Sequence, residues 1–78
     1  MIKKIVHYIK DDDFKIRYFN NKVNIVNYEK ILEIKDDMIT LSKDNKLILI
    51  KGEDLKLTKL LDNEILITGV INIIKVGE

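Results

Sequence analysis

Apolar and polar positions alternate along most of this chain with a two-residue period, the signature of half-buried strands. Phe14-Lys15-Ile16-Arg17-Tyr18 alternates cleanly, and Val23-Asn24-Ile25 alternates again after Asn20-Asn21. Ile31 to Ile34 follows a bend at Asn27-Tyr28-Glu29-Lys30, and Met38-Ile39-Thr40-Leu41 follows Asp36-Asp37. Asp44-Asn45 precedes Leu47-Ile48-Leu49-Ile50, and Gly52 precedes Leu55-Lys56-Leu57-Thr58. Asp62-Asn63 leads into Ile65-Leu66-Ile67, and Gly69 leads into the last apolar run, Val70 to Val76. Short strands at regular spacing between turn residues predict an all-β meander of about seven or eight strands, closed as a compact barrel or folded as a two-sheet sandwich.

The corners have a chemical reason. Asn20, Asn21, Asp36, Asp37, Asp44, Asn45, Asp62 and Asn63 are residues that bond their own backbone and tolerate left-handed conformations. Gly52 and Gly69 read as turns or bulges where a positive φ is needed. Two runs break the alternation: Leu47 to Ile50 and Ile65 to Ile67 are apolar at every position, so both faces of those strands ask for cover. Either two sheets enclose them or a second chain does, and unpaired edge strands offer such a chain a template. The pattern therefore predicts a homo-oligomer formed through edge strands.

Residues 1–13 are ambiguous. Ile2, Ile5, Val6 and Ile9 fall at helical spacing in a stretch too short for an independent helix, so this segment is a strand or a short docked helix ahead of a β domain over 14–78. No small-residue cleavage site follows the apolar stretch, and no run approaches the length needed to span a bilayer. The expected location is the cytoplasm.

Composition supports strands and narrows the chemistry. Fifteen isoleucines and no alanine give a β-branched chain, and such side chains pack better on a pleated surface than in a helix. At 78 residues the domain is small, and without cysteine it has neither disulfides nor thiolate metal sites to support it. Fourteen basic and thirteen acidic residues leave a net charge of +1, and the two signs are interspersed along the chain, so neither nucleic acid nor an anionic surface is expected as a partner. His7 has no Ser, Cys or acidic residue at a recognisable spacing and reads as structural. Asp11-Asp12-Asp13 lacks the alternating ligands and central glycine of a calcium loop and reads as solvated. Tyr8, Phe14, Tyr18, Phe19 and Tyr28 read mostly as core residues; the alternative is a small β-barrel binding module for single-stranded nucleic acid or a small ligand, and a stacking platform for bases would need positive charge around them. No catalytic, cofactor-binding or metal-binding residues emerge, and a non-enzyme is expected.

From Phe14 to Val76 the chain resembles the YabP/YqfC family of sporulation proteins from endospore-forming Firmicutes. The resemblance lies in ordered segments: Val23 to Tyr28, Ile31 to Ile34, Ile39 to Leu41, Leu47 to Gly52 with Leu55 to Leu57, and Glu64 to Gly69 with Ile71. It covers about four fifths of the chain and leaves residues 1–13 outside. It implies a small β-rich, non-enzymatic protein of the mother cell, a structural or assembly factor in spore envelope formation. It also implies a protein partner, a membrane protein of the forespore envelope, and a location peripheral to the forespore membrane. The family has no catalytic motif, so no site residue carries over.

Overall fold

The computed structural model describes residues 14–77; the expectations for residues 1–13, with His7, Tyr8 and Asp11 to Asp13, lie outside it. The described chain is all-β, with six antiparallel strands in one open sheet. The strands are β1 (Lys15–Phe19), β2 (Lys22–Val26), β3 (Lys30–Ile34), β4 (Met38–Lys43), β5 (Lys46–Leu60) and β6 (Glu64–Gly77). Their order across the sheet is β1-β2-β6-β5-β4-β3. Four of the five successive strand pairs are neighbours joined by short corners, but β2 pairs with β6 and the 27–29 link carries the chain to β3 at the far edge, so the sheet is not the simple meander expected. The Asp44-Asn45 corner has both residues at positive φ, 50° and 66°, the mirror-type turn that matches the twist of two flanking strands.

Two further expectations need correction. The strands number six among the described residues, because Leu47 to Ile50 and Leu55 to Thr58 belong to one 15-residue strand, β5. Val70 to Val76 likewise continues Ile65 to Ile67 in the 14-residue β6. Gly52 and Gly69 therefore lie inside strands, at sites where the β5–β6 pairing shifts register, and are not chain corners. A bulge bends a strand and increases its twist without ending it. The second correction concerns closure. β1 and β3 remain at the two edges of the sheet and do not pair with each other, so the molecule is neither a closed barrel nor two separate sheets.

The two glycines serve different needs. Gly69 sits at φ +136°, a conformation that L side chains rarely adopt. Gly52 has no such φ; a Cβ there would lie 1.8 Å from the Val70 carbonyl oxygen, so the requirement is close backbone approach. At this waist each glycine N–H also donates to a hairpin corner: Gly69 to the Asn21 carbonyl and Gly52 to the Asp37 carbonyl, both at 3.1 Å.

Those paired hydrogen bonds expose an internal equivalence. Ile48-x-Ile50-x-Gly52 pairs with Leu41 and Ile39 of the β3–β4 hairpin. Ile65-x-Ile67-x-Gly69 pairs with Ile25 and Val23 of the β1–β2 hairpin. Each half thus consists of a hairpin, the first arm of one long strand and the second arm of the other: β1, β2, β6 from 64 to 68 and β5 from 56 to 60 in one, β3, β4, β5 from 46 to 51 and β6 from 71 to 77 in the other. Even the burial repeats, with three consecutive buried residues at Val23-Asn24-Ile25 and at Ile39-Thr40-Leu41.

Both halves contribute to one core. Val23, Ile25, Ile39, Leu41, Ile48, Ile50, Ile65 and Ile67 are fully buried and form a single cluster with Leu55. A flat sheet cannot bury one of its faces unaided, so this sheet curls until its inner face covers itself. Each of these side chains contributes about 1.5–3 kcal/mol of transfer free energy on burial.

Candidate interaction surfaces

Strand parity decides what each half shows to the outside. Where Val23, Ile25, Ile65 and Ile67 point inward, their neighbours point outward. On the β1–β2 half, cross-strand register then builds an outer grid of three rows. Lys15, Val26 and Glu64 form one; Arg17, Asn24, Leu66 and Lys59 form the next; Phe19, Lys22, Thr68 and Lys56 form the third. Among the described residues, five cations share these rows with one carboxylate, Glu64. All five are exposed, and no ion pair among the described residues involves any of them.

Asn24 is the buried polar member of the grid, 8 % exposed. Its amide Nδ2 donates to Glu64 Oε2 at 2.8 Å and to the Ile65 carbonyl at 3.1 Å. The rim below it is closed by Asn27, whose N–H donates to the Asn63 carbonyl at 2.6 Å while Asn63 Nδ2 donates to Asn27 Oδ1 at 3.0 Å. Glu64 is thereby tied to the sheet and not extended toward the neighbouring lysines.

The β3–β4 half has a different outer face. Its rows carry Leu47 with Ser42 and Lys30, Leu49 with Thr40, Lys75 and Glu33, and Ile73 with Met38 and Lys51. Leu47 and Ile73 are 43 % and 48 % exposed, and Leu49 is half-buried. Leu47 and Leu49 are the outward positions of the 47–50 run that is apolar on both faces: Ile48 and Ile50 fill the core, and the leucines that alternate with them remain toward the surface.

The edges differ as well. β1 and β3 are five residues long and carry Lys15 and Arg17, or Lys30 and Glu33; Glu33 also makes an exposed ion pair with Lys35 at 3.1 Å. Short, charged edges resist unwanted pairing. The second arm of β6, from 71 to 77, pairs with β5 on one side only and carries a single charge, Lys75. No Cα of β1 comes within 8 Å of it, although Tyr18 lines a crevice with Ile71, Asn72, Ile73 and Ile74.

The turn residues read from sequence are spread over the molecule and do not converge. Asn20-Asn21 and Asp36-Asp37 stand at the waist, with Asn21 at φ 53°; Asp44-Asn45 and Asp62-Asn63 stand at the far ends of the hairpins. Phe14 and Tyr28 pack against the core, but Tyr18 and Phe19 are 56 % and 49 % exposed, contrary to the expectation that most aromatics are interior. Among the described residues no three His, Asp or Glu side chains converge as a metal site would require, and no helix is long and apolar enough to cross a membrane. The main crevices measure about 180 to 230 Å³ and are shallow; ligand pockets usually run about 300–1,000 Å³.

The alternating charges were read along the chain as interspersed, yet folding sorts them by face. Lys15-x-Arg17-x-Phe19 projects to one side, and Lys22, Lys56 and Lys59 join it through pairing distant in sequence. Parity within β1 was the available signal; the contribution of β5 required the sheet order. No family model, curated protein or solved structure matches the chain.

Proposed function

We propose that this protein is a non-enzymatic structural or assembly factor of spore envelope formation, working through protein–protein contacts on the mother-cell side of the forespore membrane. The resemblance of residues 14–76 to the YabP/YqfC family supports the programme. The observation that carries the mode of action is the group of Leu47, Leu49 and Ile73 left at the outer face of the β3–β4 half, among Lys30, Lys51 and Lys75, with Ile73 on the one-sidedly paired arm of β6. Apolar surface next to open backbone donors and acceptors is the arrangement used for strand addition and sheet-to-sheet docking.

The test combines location with surface chemistry. A fluorescent fusion in a sporulating host should appear in the mother cell around the forespore, and deletion should give spores with a defective envelope. The Leu47→Lys/Ile73→Lys variant should fold normally and fail to restore the envelope. Normal spores after deletion, or full rescue by the lysine variant, would contradict the reading.

A further inference from the structure

We infer that the outer face of the β1–β2 half is a docking surface for an anionic phospholipid bilayer. This goes beyond the proposal of protein contacts, which uses the opposite half, and holds for any membrane bearing acidic headgroups.

Three observations carry it. First, Lys15, Arg17, Lys22, Lys56 and Lys59 occupy one face, all exposed, with Glu64 as the single carboxylate in their rows among the described residues, in a chain whose net charge is only +1. A near-neutral protein thus carries a local excess of four positive charges within a patch four strands wide. Neighbouring strands lie about 4.8 Å apart and alternate residues of one strand about 6.8 Å apart, so the patch measures roughly 14 by 14 Å, near the Debye length, and its cations act together. Second, Phe19 stands on the same face, 49 % exposed, beside the Asn20-Asn21 corner and opposite Lys22. An exposed aromatic at the tip of a cationic hairpin matches the chemistry of the headgroup boundary, apolar beneath and charged above.

Third, the make-up of the face selects the bilayer over a nucleic acid strand. Single-stranded nucleic acid is usually held in a charged groove that tracks its backbone, and none of the crevices described above is lined by these five cations. One aromatic, Phe19, also falls short of the successive stacking partners that a strand of bases would use. A broad plane of acidic headgroups needs neither groove nor ladder. It needs several cations presented together, each worth about 1 kcal/mol near such a surface.

The experiment uses the full chain and sedimentation with vesicles of equimolar phosphatidylglycerol and phosphatidylcholine, against vesicles of phosphatidylcholine alone. Binding should appear only with the acidic lipid and weaken as salt is raised. Arg17→Glu/Lys59→Glu should weaken it at least about twentyfold, since each removed cation corresponds to about fivefold. Lys30→Glu/Lys51→Glu changes net charge equally on the other half and should leave most of the binding intact. Phe19→Ala should weaken binding severalfold while keeping its salt dependence. Equal loss in both charge-reversed pairs would reduce the effect to net charge and overturn the assignment. Absence of binding to the acidic vesicles would overturn it too. Tighter, face-dependent binding of a single-stranded oligonucleotide would reassign the face to nucleic acid. Because the readout is lipid association of purified protein, its failure leaves the envelope-assembly reading standing, and the reverse also holds.

Discussion

The two halves of this molecule share one construction and differ in what they expose. Each has a hairpin whose corner accepts a hydrogen bond from a waist glycine, and each places two isoleucines of an Ile-x-Ile-x-Gly segment against the apolar pair of its hairpin. Inward, the halves are interchangeable in chemistry: Val23, Ile25, Ile65 and Ile67 on one side, Ile39, Leu41, Ile48 and Ile50 on the other. Outward, one half carries five cations around a hydrogen-bonded Asn24, and the other sets Leu47, Leu49 and Ile73 among Lys30, Lys51, Lys75 and Glu33 around Thr40. Because inner and outer residues alternate, a strand can keep its contribution to the core while every outward residue is changed. One scaffold, used twice, therefore presents two unlike surfaces.

The waist gives the strongest way to break this comparison. Gly52→Ala brings a methyl group onto the Val70 carbonyl, which is backbone and cannot rotate away. Gly69→Ala meets both an unfavourable φ and the Asp54 carbonyl at 2.6 Å. Both substitutions should cost about 3 kcal/mol or more, by displacement of backbone in the first and strain in the second. In a domain this small that approaches total stability. Thermal unfolding should show Gly52→Ala as the more damaging, and a waist that tolerates alanine at both positions would remove the basis for the repeat.

Core substitutions come next. Ile48→Ala and Ile65→Ala occupy equivalent places and should each destabilise by about 2–5 kcal/mol, with both halves losing structure in the same transition. Separate transitions would mean two cores. The buried polar pair should separate the halves instead. Asn24→Ala removes the side-chain donor to the Ile65 carbonyl and to Glu64 and should cost about 1–3 kcal/mol, whereas Thr40→Val removes one neutral hydroxyl and should cost less, about 0.5–1.5 kcal/mol, in denaturant titration. The smallest effect belongs to the outer surface: Leu47→Lys/Ile73→Lys should shift folding stability by no more than about 0.5 kcal/mol per site while reducing any self-association seen by light scattering.

Much of the secondary structure was legible because a two-residue period leaves few alternatives. The starts of β2 and β4 after Asn20-Asn21 and Asp36-Asp37, and the corner at Asp44-Asn45, follow from residues that fit turn conformations. The merging of four expected strands into β5 and β6 was not legible in the same way. A glycine between two apolar runs reads locally as a corner, and only the carbonyl of Val70 facing Gly52 shows that the chain continues past it. The spacing of Ile48-x-Ile50-x-Gly52 and Ile65-x-Ile67-x-Gly69 was a signal that could have revealed the repeat. The basic face was hidden for a different reason. Charge balance along the chain averages over both sides of a strand, and the pairing of β2 with β6, some forty residues away in sequence, decides which cations meet.

Residue-resolved hydrogen exchange tests the central claim, two equivalent halves closed on a single core, most directly. The Gly52 and Gly69 amides, each donating to the corner of a different hairpin, should exchange through global unfolding and report the same opening free energy. Substantially weaker protection at one glycine, with its hairpin opening while the other half stays closed, would contradict the account.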